Sequence, residues 1–194
     1  MLLDVLFPPQ CGACGAVGCG FCDVCAGEPN VCSERRDTLL VHALGQYEGR
    51  LRHAILAVKD GRRDVARSLG ERLAPLIPNG ATLVPVPTTR ARRRTRGIDG
   101  VSEIANSCAR IADASMRAVL EHASNDAQRG RSRQARLVAR GRFRCTATFD
   151  RQTLVLVDDV CTTGATLEDC AGALRSAGAT VVEAFVVALS RGQT

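Results

Sequence analysis

The segment best suited to chemistry runs from Val155 to Leu167 and reads Val-Leu-Val-Asp-Asp-Val-Cys-Thr-Thr-Gly-Ala-Thr-Leu. An apolar run ends in two acids, Asp158 and Asp159, and a turn rich in threonine and glycine follows. That turn comprises Thr162, Thr163, Gly164, Ala165 and Thr166. Backbone N–H groups in such a turn, at the start of a helix, favour an anion. Glycine lets the backbone approach that anion closely, so the segment predicts a phosphate-binding turn.

The two acids indicate what accompanies the phosphate. Asp158 and Asp159 accept hydrogen bonds but repel a phosphate, so they suit neighbouring hydroxyl groups or a metal-bound sugar. A phosphate beside a diol describes a ribose 5-phosphate. The segment lacks the Gly-Lys-Ser/Thr ending of a Walker A loop and is not Gly-x-Gly-x-x-Gly. A capped helix after a buried strand would explain one acid and one threonine, but not the whole order of residue types.

A second group of residues suited to chemistry is a cluster of cysteines near the N-terminus. Two Cys-x2-Cys pairs, Cys11 with Cys14 and Cys22 with Cys25, have the spacing of a zinc knuckle. Cys19 with Cys22 is an alternative pair, and Cys32 is a further thiol. A redox dithiol and an iron–sulfur cluster remain open. Structural zinc is the favoured interpretation, because so short a segment needs a metal to fold.

The charge and composition restrict the function classes. The formal net charge is +6 among 194 residues. Arginines concentrate in two clusters, Arg90, Arg92, Arg93, Arg94 and Arg96, and Arg129, Arg131, Arg133, Arg136, Arg140, Arg142 and Arg144. Such clusters attract nucleic acid or phosphorylated ligands, although a solvated arginine-rich face is an equal alternative for either cluster alone. The chain has no Trp and one Tyr, which argues against a stacking platform for single strands.

The same composition predicts the cellular setting. No apolar run approaches the length of a membrane span, and the clustered cysteines indicate a reducing compartment. We therefore expect a cytoplasmic protein without a membrane span.

Periodicity predicts the elements that position these residues. Residues 1–37 form a Cys-rich knuckle, and residues 38–194 form an α/β domain. Within that domain we expect strands at Leu39–Tyr47, Thr82–Val86, Leu154–Val157 and Val181–Leu189. One helix is expected where Leu51, Ala54, Ile55 and Val58 fall on one face. Further helices are expected at Arg63–Leu76, Val101–Ala114 and Leu167–Ala177. The Thr82–Val86 strand is expected to lead into an Arg-rich loop. Residues 124–144 are expected to form a long loop or hairpin.

These motifs carry a resemblance to known families. The Val155–Leu167 segment resembles the signature for phosphoribosyl pyrophosphate (PRPP) of type I phosphoribosyltransferases. With the cysteine pairs, the chain resembles the ComF family of competence-associated, phosphoribosyltransferase-like bacterial proteins. Three further stretches carry that resemblance: Tyr47-x-Gly49 with Lys59-x-Gly61, Val84–Pro87 with Arg96-Gly97, and Gln128 through Arg136 to Phe143.

The resemblance implies a type I phosphoribosyltransferase-like parallel sheet flanked by helices, with a small N-terminal zinc-binding knuckle. It implies that Asp158 and Asp159 contact the ribose hydroxyls and that residues 162–166 hold the 5′-phosphate. Pyrophosphate would lie against Pro87, Thr88 and Thr89, with Lys59 and Arg96 nearby. Mg²⁺ would be held mainly by the pyrophosphate and ribose oxygens. A mobile loop would fall within residues 124–144.

Two departures from the family pattern bear on function. The segment Arg96-Gly-Ile-Asp-Gly100 stands where the family shows Arg-Gly-Phe-Asn-Gln, and Ala139 stands where it shows Asn. Both lie outside the PRPP segment and concern the second substrate and turnover. The sequence thus leaves two functions open. One is a phosphoribosyltransferase that releases pyrophosphate. The other is a non-catalytic accessory in DNA uptake or recombination that binds single-stranded DNA or a protein partner.

Overall fold

A computed structural model of the protein describes residues 8–28, 30–123 and 141–190. Its centre is a six-stranded sheet in the order β1-β2-β8-β7-β3-β4. The strands are β1 (Cys32–Arg36), β2 (Leu39–Gln46), β3 (Thr82–Pro85), β4 (Ser115–Met116), β7 (Thr153–Cys161) and β8 (Thr180–Leu189). Strand β1 pairs antiparallel with β2, and the other neighbours are parallel. Strands β5 (Leu120–His122) and β6 (Phe143–Cys145) form a separate antiparallel ribbon.

Helices cover both faces of the sheet. They are α1 (Asp23–Ala26), α2 (Gly49–Lys59), α3 (Arg63–Leu73, continued by a 3₁₀ turn at Ala74–Leu76), α4 (Arg90–Arg96), α5 (Gly100–Ile111) and α6 (Ala165–Ser176). The apolar sides of α2, α3 and α5 pack together on one face. Helix α6 and the β5–β6 ribbon pack on the other face. The expected α/β fold, a mostly parallel sheet flanked by helices, is confirmed.

Alternation along β7 decides which way its functional residues point. Val155 and Val157 belong to the core under α2, α3 and α5, whereas Leu154 and Leu156 belong to the core under α6. Successive side chains of a strand point to opposite faces. This alternation therefore places Asp158 on the α6 side of the sheet and Asp159 on the α2 side.

Two local expectations need correction. The Arg-rich loop after β3 is a helix, α4. Thr89 caps its start by accepting a hydrogen bond from the Arg92 N–H, at 3.3 Å. Gly97 ends it in the left-handed region at φ 69°, and arginine is a good helix former between two such caps. Strand β7 also runs beyond Val157 to Cys161, because pairing with β8 continues to Leu189.

The remaining elements match the expectations within a few residues. The strand expected at Leu39–Tyr47 ends at Gln46, and the helix expected at Val101–Ala114 covers Gly100–Ile111. Of the loop or hairpin expected at 124–144, residues 124–140 lie outside the described residues, and Phe143 begins β6. Within the described ranges, no helix has both the length and the apolar character needed to cross a membrane.

Candidate functional site

The topology of the sheet predicts a ligand-binding crevice at the carboxyl ends of β3 and β7. These strands are neighbours, and the chain leaves them in opposite directions. It runs from β7 through α6 to β8 on one side, and from β3 through α5 to β4 on the other. Ligands of open α/β sheets bind where the strand order diverges in this way. The Val86 N–H donates to the Val157 carbonyl at 2.9 Å, so the segment after β3 lies directly beside Asp158.

Asp158 and Asp159 differ in environment although they are adjacent. Asp158 is buried, and its Oδ1 accepts from the Asp159 N–H at 2.8 Å. Burial and the neighbouring Asp159 carboxylate raise the pKa of Asp158 well above its usual value. Asp159 is half-buried, and its Oδ1 accepts from the Val160 N–H at 2.8 Å. The pair presents acceptors at the edge of the sheet, which suits hydroxyl donors rather than an anion.

Lys59 joins this edge from the last turn of α2. Its Nζ lies 3.7 Å from Asp159 Oδ2 and 5.6 Å from the centre of the Tyr47 ring. Tyr47 is held at the end of β2, because its N–H donates to the Leu189 carbonyl at 2.7 Å. The lysine therefore stands between a carboxylate and an aromatic face, where a cation is stabilised. The structure thus places Lys59 beside Asp159 at the carboxyl edge of the sheet.

The turn between β7 and α6 leads directly into the first turn of the helix. Thr162 and Thr163 are exposed, and Gly164 is buried in the left-handed region at φ 86°. Thr163 Oγ1 accepts from the Ala165 N–H at 3.4 Å. Ala165 and Thr166 form the first turn of α6 rather than a loop. Helix α6 has 12 residues, so its N-terminal dipole adds to the attraction for an anion.

Asp99 organises the segment after β3. It caps the start of α5 by accepting from the Ser102 N–H at 3.3 Å. The Thr88 hydroxyl donates to Asp99 Oδ1 at 3.1 Å, and Arg93 Nη2 lies 3.1 Å from Asp99 Oδ2. One carboxylate thus ties the residues around Thr88 to both α4 and α5. The sequence marked Asp99 only as a departure from the family pattern.

His122 and Gly61 contact the segment after β3 and the helix that follows it. His122 of β5 lies 3.0 Å from the Pro87 carbonyl through Nε2. Gly61, just after Lys59, has φ 93°, and a Cβ added there would lie 2.5 Å from the Arg96 carbonyl. The backbone at the end of α2 therefore packs directly on the end of α4. Nothing in the sequence pattern had pointed to His122.

The four predicted metal-ligating thiols come together in the structure. The Sγ atoms of Cys11, Cys14, Cys22 and Cys25 all lie within 4.8 Å of one another. Cys14 Sγ and Cys22 Sγ are 3.7 Å apart, which is close to the ~3.8 Å edge of a tetrahedron with zinc–sulfur bonds of ~2.3 Å. The alternative thiols Cys19 and Cys32 are not members of this cluster, and Cys32 Sγ instead lies 3.5 Å from Gln46 Nε2.

Backbone donors prepare one of these thiols for metal binding. Burial acts to raise the pKa of Cys11, but N–H groups of Cys22, Ala13 and Cys14 outweigh it and lower that pKa to about 6. The Cys22 N–H donates to Cys11 Sγ at 3.5 Å. A thiol that already favours its thiolate form is a ready metal ligand.

The cysteine segment is seated on the α/β domain. A Cβ added at Gly12 would lie 3.0 Å from both Ala57 of α2 and Val65 of α3. A Cβ at Gly20 would overlap the backbone of Asp64. Arg62 forms a two-point ion pair with Asp64. Phe21 and Cys25 join the core beneath α2 and α3, so the segment and these helices share one packed interface.

Residues 99–194 match the family model described as phosphoribosyl transferase domain. This range contains the whole Asp158–Thr166 segment. Residues 99–194, just under half of the chain, are therefore similar to a phosphoribosyl transferase domain. Comparison of the sequence with curated proteins gave no match.

Eight solved chains are similar to this one, including the three that follow. One, titled the allosteric regulatory enzyme of purine biosynthesis, is 20% identical over 63% of this chain and 26% of that one, with a TM-score of 0.46. A glutamine PRPP amidotransferase from B. subtilis has the same identity and coverages, with a TM-score of 0.47. A hypoxanthine phosphoribosyltransferase from Staphylococcus aureus is 13% identical over 66% of this chain and 62% of that one, with a TM-score of 0.36. The chain thus spans about a quarter of the first two proteins.

Proposed function

We propose that the protein binds PRPP with Mg²⁺ in the crevice between β3 and β7 and transfers its phosphoribosyl group, releasing pyrophosphate. The proposal rests on the position of three features relative to one another. Two acids lead into a turn rich in threonine and glycine, within the region that matches the phosphoribosyl transferase model, and Lys59 lies 3.7 Å from the second acid, Asp159. Neither the turn nor the acids alone would name a ligand, but together they match a sugar that bears both a phosphate and a diol.

Each part of the crevice then has one task. The carboxylates of Asp158 and Asp159 accept hydrogen bonds from the ribose 2′- and 3′-hydroxyls. The turn at 162–166 holds the 5′-phosphate through backbone N–H groups and threonine hydroxyls. The segment Pro87–Thr89 faces the pyrophosphate, and Lys59 and Arg96 bring positive charge to the same side. Mg²⁺ bound together with PRPP would offset the charge that develops as pyrophosphate leaves.

The reaction needs no nucleophile from the protein. The bond between ribose C1 and the pyrophosphate oxygen breaks, and pyrophosphate departs with the electron pair. The acceptor forms a new bond to C1 and loses a proton. The chain contributes by holding the two ends of PRPP in place and stabilising charge. These are the tasks that the two anion-binding segments and Lys59 suit.

We also propose that the four clustered thiolates bind one structural Zn²⁺. Four cysteine ligands complete a tetrahedron and leave no open position for substrate, which is typical of structural rather than catalytic zinc. The segment that carries the cluster packs against α2 at Ala57, two residues before Lys59. Metal analysis of the purified protein should give about one zinc per chain, and a metal-free preparation that retains its fold would contradict this role.

Pyrophosphate release from PRPP tests the transferase proposal. Nucleobases, ammonia and single-stranded DNA serve as acceptors, each with Mg²⁺. The wild type should release pyrophosphate with one acceptor class, and Asp158→Ala/Asp159→Ala should release at least about 100-fold less. Asp150→Ala is the matched control, because Asp150 is an exposed acid just before β7. Equal rates in the two variants would refute the assignment of the acids.

A second candidate function is the accessory role in DNA uptake or recombination. The observation that favours it is α4, because none of its residues is buried and it carries five arginines beside the crevice. Such a helix suits a polyanion, and PRPP would then act as a regulator. Binding of labelled single-stranded DNA should fall steeply as salt is raised, because phosphate contacts release counterions. Absent binding, or binding independent of salt, would reject this role.

A further inference from the structure

The hairpin between β1 and β2 lies outside the region that matches the family model, yet it reaches the phosphate-binding turn. A Cβ added at Gly164 would lie 2.8 Å from Arg36 Cβ and 3.3 Å from its Cγ. The stem of the Arg36 side chain therefore runs along the turn. The absence of a side chain at Gly164 is what allows this approach.

The hairpin is fixed in that place by the first turn of α6. Glu168 accepts hydrogen bonds from the Thr38 N–H and the Thr38 hydroxyl, both at 2.7 Å, and from the Leu39 N–H at 3.0 Å. A half-buried carboxylate with three such donors is a strong anchor. Arg36 is therefore held beside the turn by a contact that is independent of Gly164.

The guanidinium of Arg36 is only partly used by the protein. Arg36 Nη2 lies 2.9 Å from Glu34 Oε2, and the Glu34 side chain is half exposed. Arg36 Nε is buried and has no hydrogen-bond partner among the described residues. A buried N–H without an acceptor is costly, and native structures rarely leave one unpaired. An anion in the adjacent turn would supply the missing acceptor.

The turn itself contains no positive charge, because residues 162–166 are threonine, glycine and alanine. Burial raises the pKa of the Cys161 thiol, and the charge of Arg36 acts in the opposite direction. The positive charge is therefore close to the residue at which β7 enters the turn. Arg36 brings a cation to the turn at Gly164, and Arg142, whose Nη2 lies 3.4 Å from Thr166 Oγ1, brings a second one.

We infer that Arg36 is a direct ligand of the phosphomonoester bound in the turn, with its planar fork directed at two phosphate oxygens. This inference rests on the proposed function and deepens it, since it assigns the 5′-phosphate end of the ligand to a residue outside the matched region. The ion pair with Glu34 competes with the ligand for the same guanidinium.

Calorimetry with ribose 5-phosphate, PRPP and pyrophosphate tests the inference. Arg36→Gln should weaken ribose 5-phosphate and PRPP about 10- to 100-fold, as expected for a lost charge-assisted hydrogen bond, and leave pyrophosphate unchanged. Arg35→Gln is the matched control, because Arg35 is exposed and precedes Arg36 on β1. Arg36→Lys, which keeps the charge without Nε, should show an intermediate loss and serves if Arg36→Gln is poorly folded.

A fourth variant gives a result of opposite sign. Glu34→Gln removes the competing carboxylate and should tighten ribose 5-phosphate about 2- to 5-fold, in line with an exposed ion pair. A merely structural role for the Arg36–Glu34 pair would weaken binding in both variants. Equal affinities in Arg36→Gln and Arg35→Gln would overturn the inference while leaving the proposed function intact. Absence of PRPP binding by the wild type would instead overturn the proposed function and, with it, the inference.

Discussion

Gly164 is the residue whose replacement distinguishes an anion-binding turn from an ordinary helix start. It has φ 86°, and a residue with a side chain pays about 1 kcal/mol or more in that region. An added Cβ would also lie 2.8 Å from Arg36 Cβ, which belongs to a stem close to the backbone. Relieving such an overlap costs about 1–3 kcal/mol. Gly164→Ala should therefore destabilise the protein by roughly 2–3 kcal/mol.

Gly172 provides the opposite case within the same helix. A Cβ added at Gly172 meets no atom within 4 Å, and the residue lies inside α6. Alanine is favoured over glycine there by about 0.5–1 kcal/mol. Gly172→Ala should therefore raise the melting temperature by about 1–4 °C, whereas Gly164→Ala should lower it by about 5–10 °C.

Thermal and denaturant unfolding of the zinc-bound protein, with calorimetry of ribose 5-phosphate, measures both consequences. The Gly164→Ala variant should lose affinity for the phosphate, because the turn must shift, and Gly172→Ala should keep it. Shifts of the same sign in both variants, or undiminished phosphate affinity in Gly164→Ala, would refute the assignment of the turn.

Three further predictions concern single side chains. The pKa of Asp158 is raised in the folded protein, so its contribution favours the folded state at low pH and is lost as the pH rises through the folded pKa. Asp158→Asn should therefore be more stable than the wild type by about 1–3 kcal/mol at neutral pH. Denaturation at a series of pH values should show this difference in stability closing towards pH ~4. Gly20→Ala would overlap the backbone of Asp64, so unfolding should show a loss of about 1–3 kcal/mol, together with faster removal of zinc by a chelator. Asp99→Ala frees Thr88 and removes a helix cap worth ~1 kcal/mol, so pyrophosphate affinity should fall in calorimetry more than ribose 5-phosphate affinity.

Local patterns along the chain were enough to predict the core of the fold. The continuous apolar run at Leu154–Val157 predicted a buried parallel strand, and two Cys-x2-Cys pairs predicted which thiols cluster. Both signals are short-range and depend on residue type and spacing alone. The prediction of a loop at Arg90–Arg96 was wrong. A run of charged residues has no apolar periodicity, although Thr89 and Gly97 supply both helix caps.

Contacts across long separations could not be predicted in this way. Arg36 lies against Gly164 because the β1–β2 hairpin packs on the first turn of α6. No periodicity in the sequence indicates this contact. His122 reaches Pro87 through pairing of β5 with β6. Lys59 was implied by resemblance alone, and its position near Asp159 follows from the packing of α2 against the sheet. These distances belong to the tertiary fold rather than to local sequence.

We propose that the acids at the end of β7 and the turn after them bind PRPP. Titration calorimetry of the wild type and of Asp158→Ala/Asp159→Ala with PRPP and Mg²⁺ tests it most directly, with Asp150→Ala as the control. We predict saturable binding at one site per chain for the wild type and the control, and at least about 100-fold weaker binding for the double variant. No heat with the wild type, or equal affinity in the double variant, would contradict the account.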